Sequence, residues 1–228
     1  MRLYGKVCVV TGASRGIGRA IAERFVAEGA AVAIGARGRG ALEAAAKALA
    51  GGGSEVLARP VDVSVAASVQ AFADAVLARF GRADVLVCNA GVAARARVVD
   101  TCEKQWDEVV DVSLKGTFLV TRALLPAIEA ARGRVLVISS IAGRQGTAGS
   151  SAYCAAKHGL IGFARALTEE VRQAGVLVAT ICPGSVDTEM LPPEFHPGMP
   201  AARVADVAAF LASEAPRELT GSIIDLFG

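Results

Sequence analysis

The chain predicts an α/β fold: a doubly wound, mostly parallel seven-stranded sheet with helices on both faces, forming one domain over residues 1–228. Three observations lead there. Apolar runs of strand length recur with amphipathic segments of helix length between them, which is the pattern of repeated βαβ units. Hydrophobic residues make up 53% of the sequence and glycine numbers 25, a composition that suits strands covered on both faces better than a half-wet sheet. The first apolar run ends in a glycine-rich turn that opens directly into a helix. Right-handed crossovers then favour double winding, with ligands expected beyond the carboxyl ends of the strands.

Taken in order, strands are expected near Lys6 to Thr11, Ala31 to Ala36, Glu55 to Val61, Val85 to Asn89, Arg134 to Ser139, Val176 to Cys182 and Ser222 to Leu226. Helices fill the gaps near Gly16 to Glu28, Gly40 to Ala50, Val65 to Phe80, Lys104 to Ala131, Ser151 to Ala174 and Ala205 to Ser213. Gly51-Gly52-Gly53 joins a helix to a strand. The Lys104 to Ala131 helix is expected to bend at Val112 to Gly116, where helix formers give way to β-branched and small residues. Pro192, Pro193, Pro197 and Pro200 mark a rigid excursion before the last helix.

Composition excludes several classes. Net charge is +2, from 24 basic and 22 acidic residues, and no basic run carries interleaved aromatics, so no nucleic-acid partner is expected. Every long apolar stretch is broken before it would span a bilayer, and the N-terminus reaches Thr11-Gly12 too early for a secretory segment. No membrane partner is expected, and the reading is cytoplasmic. Cys8, Cys88, Cys102, Cys154 and Cys182 form no C-x-x-C pair and read as reduced thiols, with Cys154 a packing residue rather than a nucleophile. His158 and His196 are the only histidines, so no metal site is expected.

Two local patterns carry chemistry. In T-G-A-S-R-G-I-G (Thr11 to Gly18), Gly12, Gly16 and Gly18 allow a tight turn, close approach to a pyrophosphate, and close packing of the helix whose N-terminus faces the phosphates. In Y-C-A-A-K, Tyr153 and Lys157 stand four apart on one helix and share a face. A cation beside a phenol biases it toward the phenolate in a shielded site, which makes a tunable acid.

These motifs, together with D-V at Asp62-Val63, N-A-G at Asn89 to Gly91, Ser140 and P-G-S-V-D-T at Pro183 to Thr188, resemble the single-domain branch of the short-chain dehydrogenase/reductase family. The resemblance runs from Leu3 to about Gly228, each motif at its strand end in order. It implies a Rossmann-like NAD(P) site in which Gly12, Ser14, Gly16, Ile17 and Gly18 line the pyrophosphate and ribose. Asp62 and Val63 would face the adenine, Asn89, Ala90 and Gly91 the adenosine side, and Pro183, Gly184, Val186 and Thr188 the nicotinamide end. Asp62 also reads as a cap for the helix after Ser64.

The resemblance further implies that Tyr153 is the general acid or base, that Ser140 steadies the reacting oxygen, and that Lys157 bonds the nicotinamide ribose and biases Tyr153 toward its anion. Ser139 competes for the serine role, but counting back from Tyr153 selects Ser140. Where relatives that prefer NAD have an acid after the second strand, this chain has Ala36, then Arg37, with Arg15 in the glycine-rich loop. Two guanidinium groups there suit a 2′-phosphate, so NADP(H) is expected over NAD(H).

Two departures stand out. Ser113 occupies the position where the family often has an Asn that holds a proton-relay water, so an altered relay is expected. Between Thr188 and Ala205 the chain is short and proline-rich, which predicts an open pocket for a bulky or carrier-borne carbonyl substrate, with Met190, Leu191 and Phe195 as a candidate apolar wall. Phe118, Leu119, Leu124, Leu125, Leu160, Phe163, Ala164 and Leu167 exceed what one sheet face needs, which points to a homodimer or homotetramer. The expected activity is interconversion of a ketone, 3-oxoacyl thioesters among the candidates, and a secondary alcohol. A non-catalytic dinucleotide-binding regulator of the same fold is the alternative, and a sugar-nucleotide epimerase or dehydratase would need a longer chain.

Overall fold

Side chains alternate across a strand, so a strand covered on both faces must be apolar at every position. β1 (Val7–Thr11) follows that rule as far as Val10: Cys8 and Val10 enter one hydrophobic layer and Val9 the other. The same division runs through β2 (Ala31–Ala36), β4 (Val85–Cys88), β5 (Arg134–Ile138) and β6 (Leu177–Pro183). With β3 (Val56–Pro60) and β9 (Ile223–Leu226) these form a seven-stranded sheet of order β3-β2-β1-β4-β5-β6-β9, parallel at every junction. The computed structural model describes residues 1–51, 53–191, 196 and 198–227. Gly52, Pro192, Pro193, Phe195 and Pro197 lie outside the described residues.

One layer packs α1 (Gly16–Ala27), α2 (Arg39–Ala50) and α7 (Ala201–Ser213) on the sheet through Ile21, Phe25, Leu42 and Leu211. The other packs α3 (Ala66–Phe80), α5 (Gly116–Ala130) and α6 (Ser151–Val171) through Phe72, Val76, Leu124 and Leu160. The order of strands reverses between β1 and β4, so chains leaving those two strands diverge and leave a crevice above their carboxyl ends. A short ladder of β7 (Val186–Asp187) with β8 (Met199–Pro200) lies beyond β6.

The expected bent helix is three pieces: α4 (Glu103–Val110), a π-helical turn over Asp111–Lys115, and α5. The wide turn coincides with close packing at Gly116, where a Cβ would stand 2.7 Å from Val63 Cγ2. α7 starts at Ala201 rather than Ala205, because Pro200, extended at φ −73° and ψ 150°, caps the helix without needing an N–H there. Most of the residues expected to face a partner subunit are core: Leu119, Leu124, Leu160, Ala164 and Leu167 are all buried in the layer under α5 and α6. Phe118 remains 43% exposed, with the Arg122 guanidinium 5.2 Å from its ring centre. Among the described residues no helix is long and apolar enough to cross a membrane.

Candidate active site

The chain leaves β1 through Gly12, whose φ of +66° is a left-handed conformation that glycine adopts without strain. A Cβ at Gly12 would stand 2.8 Å from Ala90 Cα, and one at Gly18 would stand 2.3 Å from Asn89 Nδ2. The turn therefore fits against β4 only with glycine at both places. Asn89 buttresses it by donating from Nδ2 to the Thr11 carbonyl (2.9 Å) and the Gly12 carbonyl (3.2 Å). α1 then begins with no side-chain cap and no acidic residue in its first turn, which leaves its N-terminal N–H groups open toward an anion.

Above this turn lies a cavity of about 440 Å³ lined by Gly12, Ser14, Arg15, Gly16, Ile17, Arg37, Val63, Asn89, Ala90, Gly91, Tyr153, Lys157 and Thr188, with Val61, Ala36 and Glu189 also on its wall. Its size, glycine-built floor and open helix terminus fit a dinucleotide. Arg15 and Arg37 reach the cavity but lean on carboxylates, Arg15 Nε 3.8 Å from Glu189 and Arg37 Nη1 3.6 Å from Glu108. All four side chains are more than half exposed, so these pairs are weak.

Gly18 and Asp62, both expected at the nucleotide, are not among the residues that line this cavity. Gly18 serves the packing of α1 against Asn89 and does not line the cavity. Asp62 turns its carboxylate to the Ser64 N–H (3.0 Å) and Ser64 hydroxyl (2.6 Å), while Val61 and Val63 on either side form the wall. The Asp62 carboxyl is held below its usual range, chiefly by the Ser64 hydrogen bond. These bonds set the turn before α3, the second of the two readings that the sequence allows for Asp62.

Tyr153 and Lys157 project from α6 into the same pocket, Lys157 Nζ 5.5 Å from the Tyr153 ring centre and donating to the Ile138 carbonyl at 2.9 Å. Burial pushes the Tyr153 phenol above its ordinary value, opposed by a hydrogen bond from Ser140 and the charge of Arg95. Burial likewise pushes the Lys157 ammonium down to about 8. This differs from a phenol held acidic by its neighbour. Desolvation is the first cause at both groups, and at Tyr153 it outweighs the hydrogen bond and charge that oppose it. The result is a phenol that keeps its proton at neutral pH.

Ser139 donates to the Lys157 carbonyl (2.9 Å) and so ties β5 to α6. Ser140 accepts from the Ala142 N–H (3.1 Å) and faces Tyr153. Ser113, fully buried in the π-helical turn, lies behind the cavity wall: its hydroxyl accepts from the Val92 N–H at 3.4 Å, and a Cβ on Gly91 would stand 3.4 Å from it and 3.7 Å from Lys157 Nζ.

A second cavity of about 370 Å³ opens on the other side of Tyr153. Ser140, Pro183, Gly184, Val186, Thr188, Met190 and Leu191 line it. Pro183, Gly184 and Val186 thus face this cavity rather than the first, and Thr188 faces both. The sequence reading missed Arg95, Thr147 and Ser150 on the same wall. Of these only Ser150 carries a sequence signal, its place just ahead of the helix that bears Tyr153.

Comparison with known proteins agrees with this geometry. A family model described as short chain dehydrogenase matches residues 6–197. The 3-oxoacyl-(acyl-carrier-protein) reductase FabG of Escherichia coli (strain K12) is 34% identical over 242 residues, covering 100% of this chain and 98% of that protein. Levodione reductase superposes with a TM-score of 0.94 at 30% identity, over 100% of this chain and 98% of the other. A variant of actinorhodin polyketide ketoreductase, solved with NADPH, gives 0.93 at 32% identity over 98% and 96% of the two chains.

Proposed function

The chain belongs to the short-chain dehydrogenase/reductase family, oxidoreductases acting on carbonyl and alcohol groups, and on that premise we propose that it reduces a ketone, with 3-oxoacyl thioesters as one substrate, using NADPH. The observation that carries the reading is Tyr153 on the wall shared by two cavities, one built for a dinucleotide and one bordered by Ser140. A nucleotide held by the Gly12 to Gly16 turn, Asn89 and Lys157 would supply hydride to the carbonyl carbon. Tyr153, protonated at neutral pH, gives its proton to the carbonyl oxygen as negative charge develops there. Ser140 donates a hydrogen bond to the same oxygen. Lys157 holds the ribose side and returns a proton to Tyr153, with Ser113 and water behind it as the relay.

Arg37 and Arg15 favour NADPH over NADH, since a dianionic phosphate offers bidentate, charge-assisted bonds that outcompete long exposed pairs to Glu108 and Glu189. FabG carries its substrate name, and the actinorhodin relative was solved with NADPH. A carrier-borne substrate accords with both. A homo-oligomer built on α4 to α6 accords with the exposed Trp106 and Phe118.

A panel of ketones and 3-oxoacyl thioesters, followed by NADPH absorbance, tests the activity. The wild type is expected to prefer NADPH, and Arg37→Ala to lower the NADPH-over-NADH ratio of kcat/KM about tenfold, the worth of one charge-assisted contact. A wild-type preference for NADH would refute the nucleotide assignment. Silence from every compound would favour the regulator of the same fold.

A further inference from the structure

We infer that Glu108 is a specificity-determining residue of the nucleotide site: from the rim of the first cavity it competes with the 2′-phosphate of NADPH for Arg37, and so limits how strongly the site prefers NADPH to NADH. The inference rests on the NADPH reading above and adds a residue that opposes it.

Arg37 follows directly on β2 and lines the first cavity. Glu108 belongs to α4, and Val112, one turn further along the chain, lines the same cavity. The pair therefore joins β2 to α4 at the rim. Arg37 Nη1 lies 3.6 Å from Glu108 Oε1, within ion-pair range and beyond a good hydrogen bond. Asp62, whose carboxyl is held low chiefly by Ser64, also feels the Arg37 charge, but its carboxylate is turned to Ser64. Two carboxylates thus offset the charge of Arg37 while neither takes up its fork of N–H donors.

A phosphate asks a guanidinium for aligned donors and for positive charge. Arg37 keeps the first and has part of the second already engaged. A 2′-phosphate bound there brings a dianion close to the Glu108 carboxylate, so the pair loses attraction and the site gains repulsion. NADH carries no such phosphate and leaves the pair as it is. Glu108 therefore acts against one nucleotide and not the other. The side chains are 51% and 54% exposed, so water and salt screen the effect and keep it to a few-fold. Glu189 holds Arg15 at 3.8 Å in the same manner, but it lines the cavity beside Thr188, and replacing it would alter the wall itself. Glu108 stands outside that lining, so its charge can be changed without changing the shape of the site.

The test measures dissociation constants of NADPH and NADH by fluorescence titration of the full chain, at low and at high salt. Glu108→Gln is expected to tighten NADPH about threefold at low salt, as loss of one exposed charge implies, and to leave NADH unchanged. Glu108→Lys should carry the NADPH gain to about tenfold by turning a repelling charge into an attracting one. Both gains should shrink at high salt. In an Arg37→Ala background most of the Glu108→Gln gain should be lost, and the melting temperature should hold throughout. Unchanged NADPH binding in Glu108→Gln, equal gains for both nucleotides, a full gain without Arg37, or weaker NADPH binding as for a residue that merely steadies Arg37 would overturn the role of Glu108 alone. A wild type that binds NADPH no tighter than NADH, with Arg37→Ala changing neither, would overturn the nucleotide assignment and this inference with it.

Discussion

The two ends of the parallel sheet treat polar groups in opposite ways. At the amino end the buried Asp84 is saturated: it accepts from the Val7 N–H (3.0 Å), from Arg82 Nε (2.8 Å) and Nη2 (2.5 Å), and from Lys6 (3.3 Å). Arg134, nearby in β5, spends its guanidinium on the carbonyls of Leu211, Ser213 and Ala215, which closes the last turn of α7. At the carboxyl end, α1 and α6 both start without a side-chain cap, and Tyr153 and Lys157 sit desolvated. Where the chain needs rigidity its buried polar groups are satisfied internally. Where it needs a ligand they are left with spare capacity, which costs stability.

That contrast can be broken first at Tyr153. Tyr153→Phe should lower kcat for carbonyl reduction by about 10³ while leaving urea stability close to the wild-type value, since a hydroxyl on the cavity wall is lost and no packing. Near-native turnover would remove the acid assigned here.

Lys157 gives the next effect. Its folded pKa, about 8, lies below the unfolded 10.5, so at pH 7.5 the buried ammonium costs stability in full. Between pH 8 and 10.5 the unfolded chain binds the extra proton and stability rises with pH. In denaturation curves the wild type should gain on the order of 3 kcal/mol relative to Lys157→Met across that window. Parallel curves would show that the amine is not desolvated.

At the other end Asp84→Ala should cost about 2 kcal/mol of stability, by stripping a buried N–H and two cations of their acceptor. Its kcat, measured well below the melting temperature, should stay close to wild type. A kcat loss as large as that of Tyr153→Phe would erase the distinction between the ends.

Much of this architecture was legible in the residues. β2 was read to its last residue, because Ala31 to Ala36 is apolar throughout and bounded by a helix end and a charge. The bend before Gly116 was visible where helix formers stop, though not that it takes the form of a π-helical turn. The start of α7 was read late because Pro200 was counted as a breaker, whereas a proline just ahead of a first turn removes no helical hydrogen bond. Leu119, Leu124 and Leu160 were given to a partner because periodicity reveals an apolar stripe but not the width of sheet it must cover. Spacing paired Tyr153 with Lys157, yet it carries no information on desolvation, which decides the direction in which the phenol shifts. Arg95 and Thr147 escaped notice because they join the second cavity through the path of the chain, not through any local pattern.

Ile17, Ser139, Tyr153, Thr188 and Met190 border both chambers, so the partition between them is one side chain thick. A synthetic inhibitor joining a nucleotide fragment to a carbonyl mimic could lie across that partition with a very short tether. Anchoring either half would raise the effective concentration of the other, and the conjugate should bind far more tightly than its separated parts.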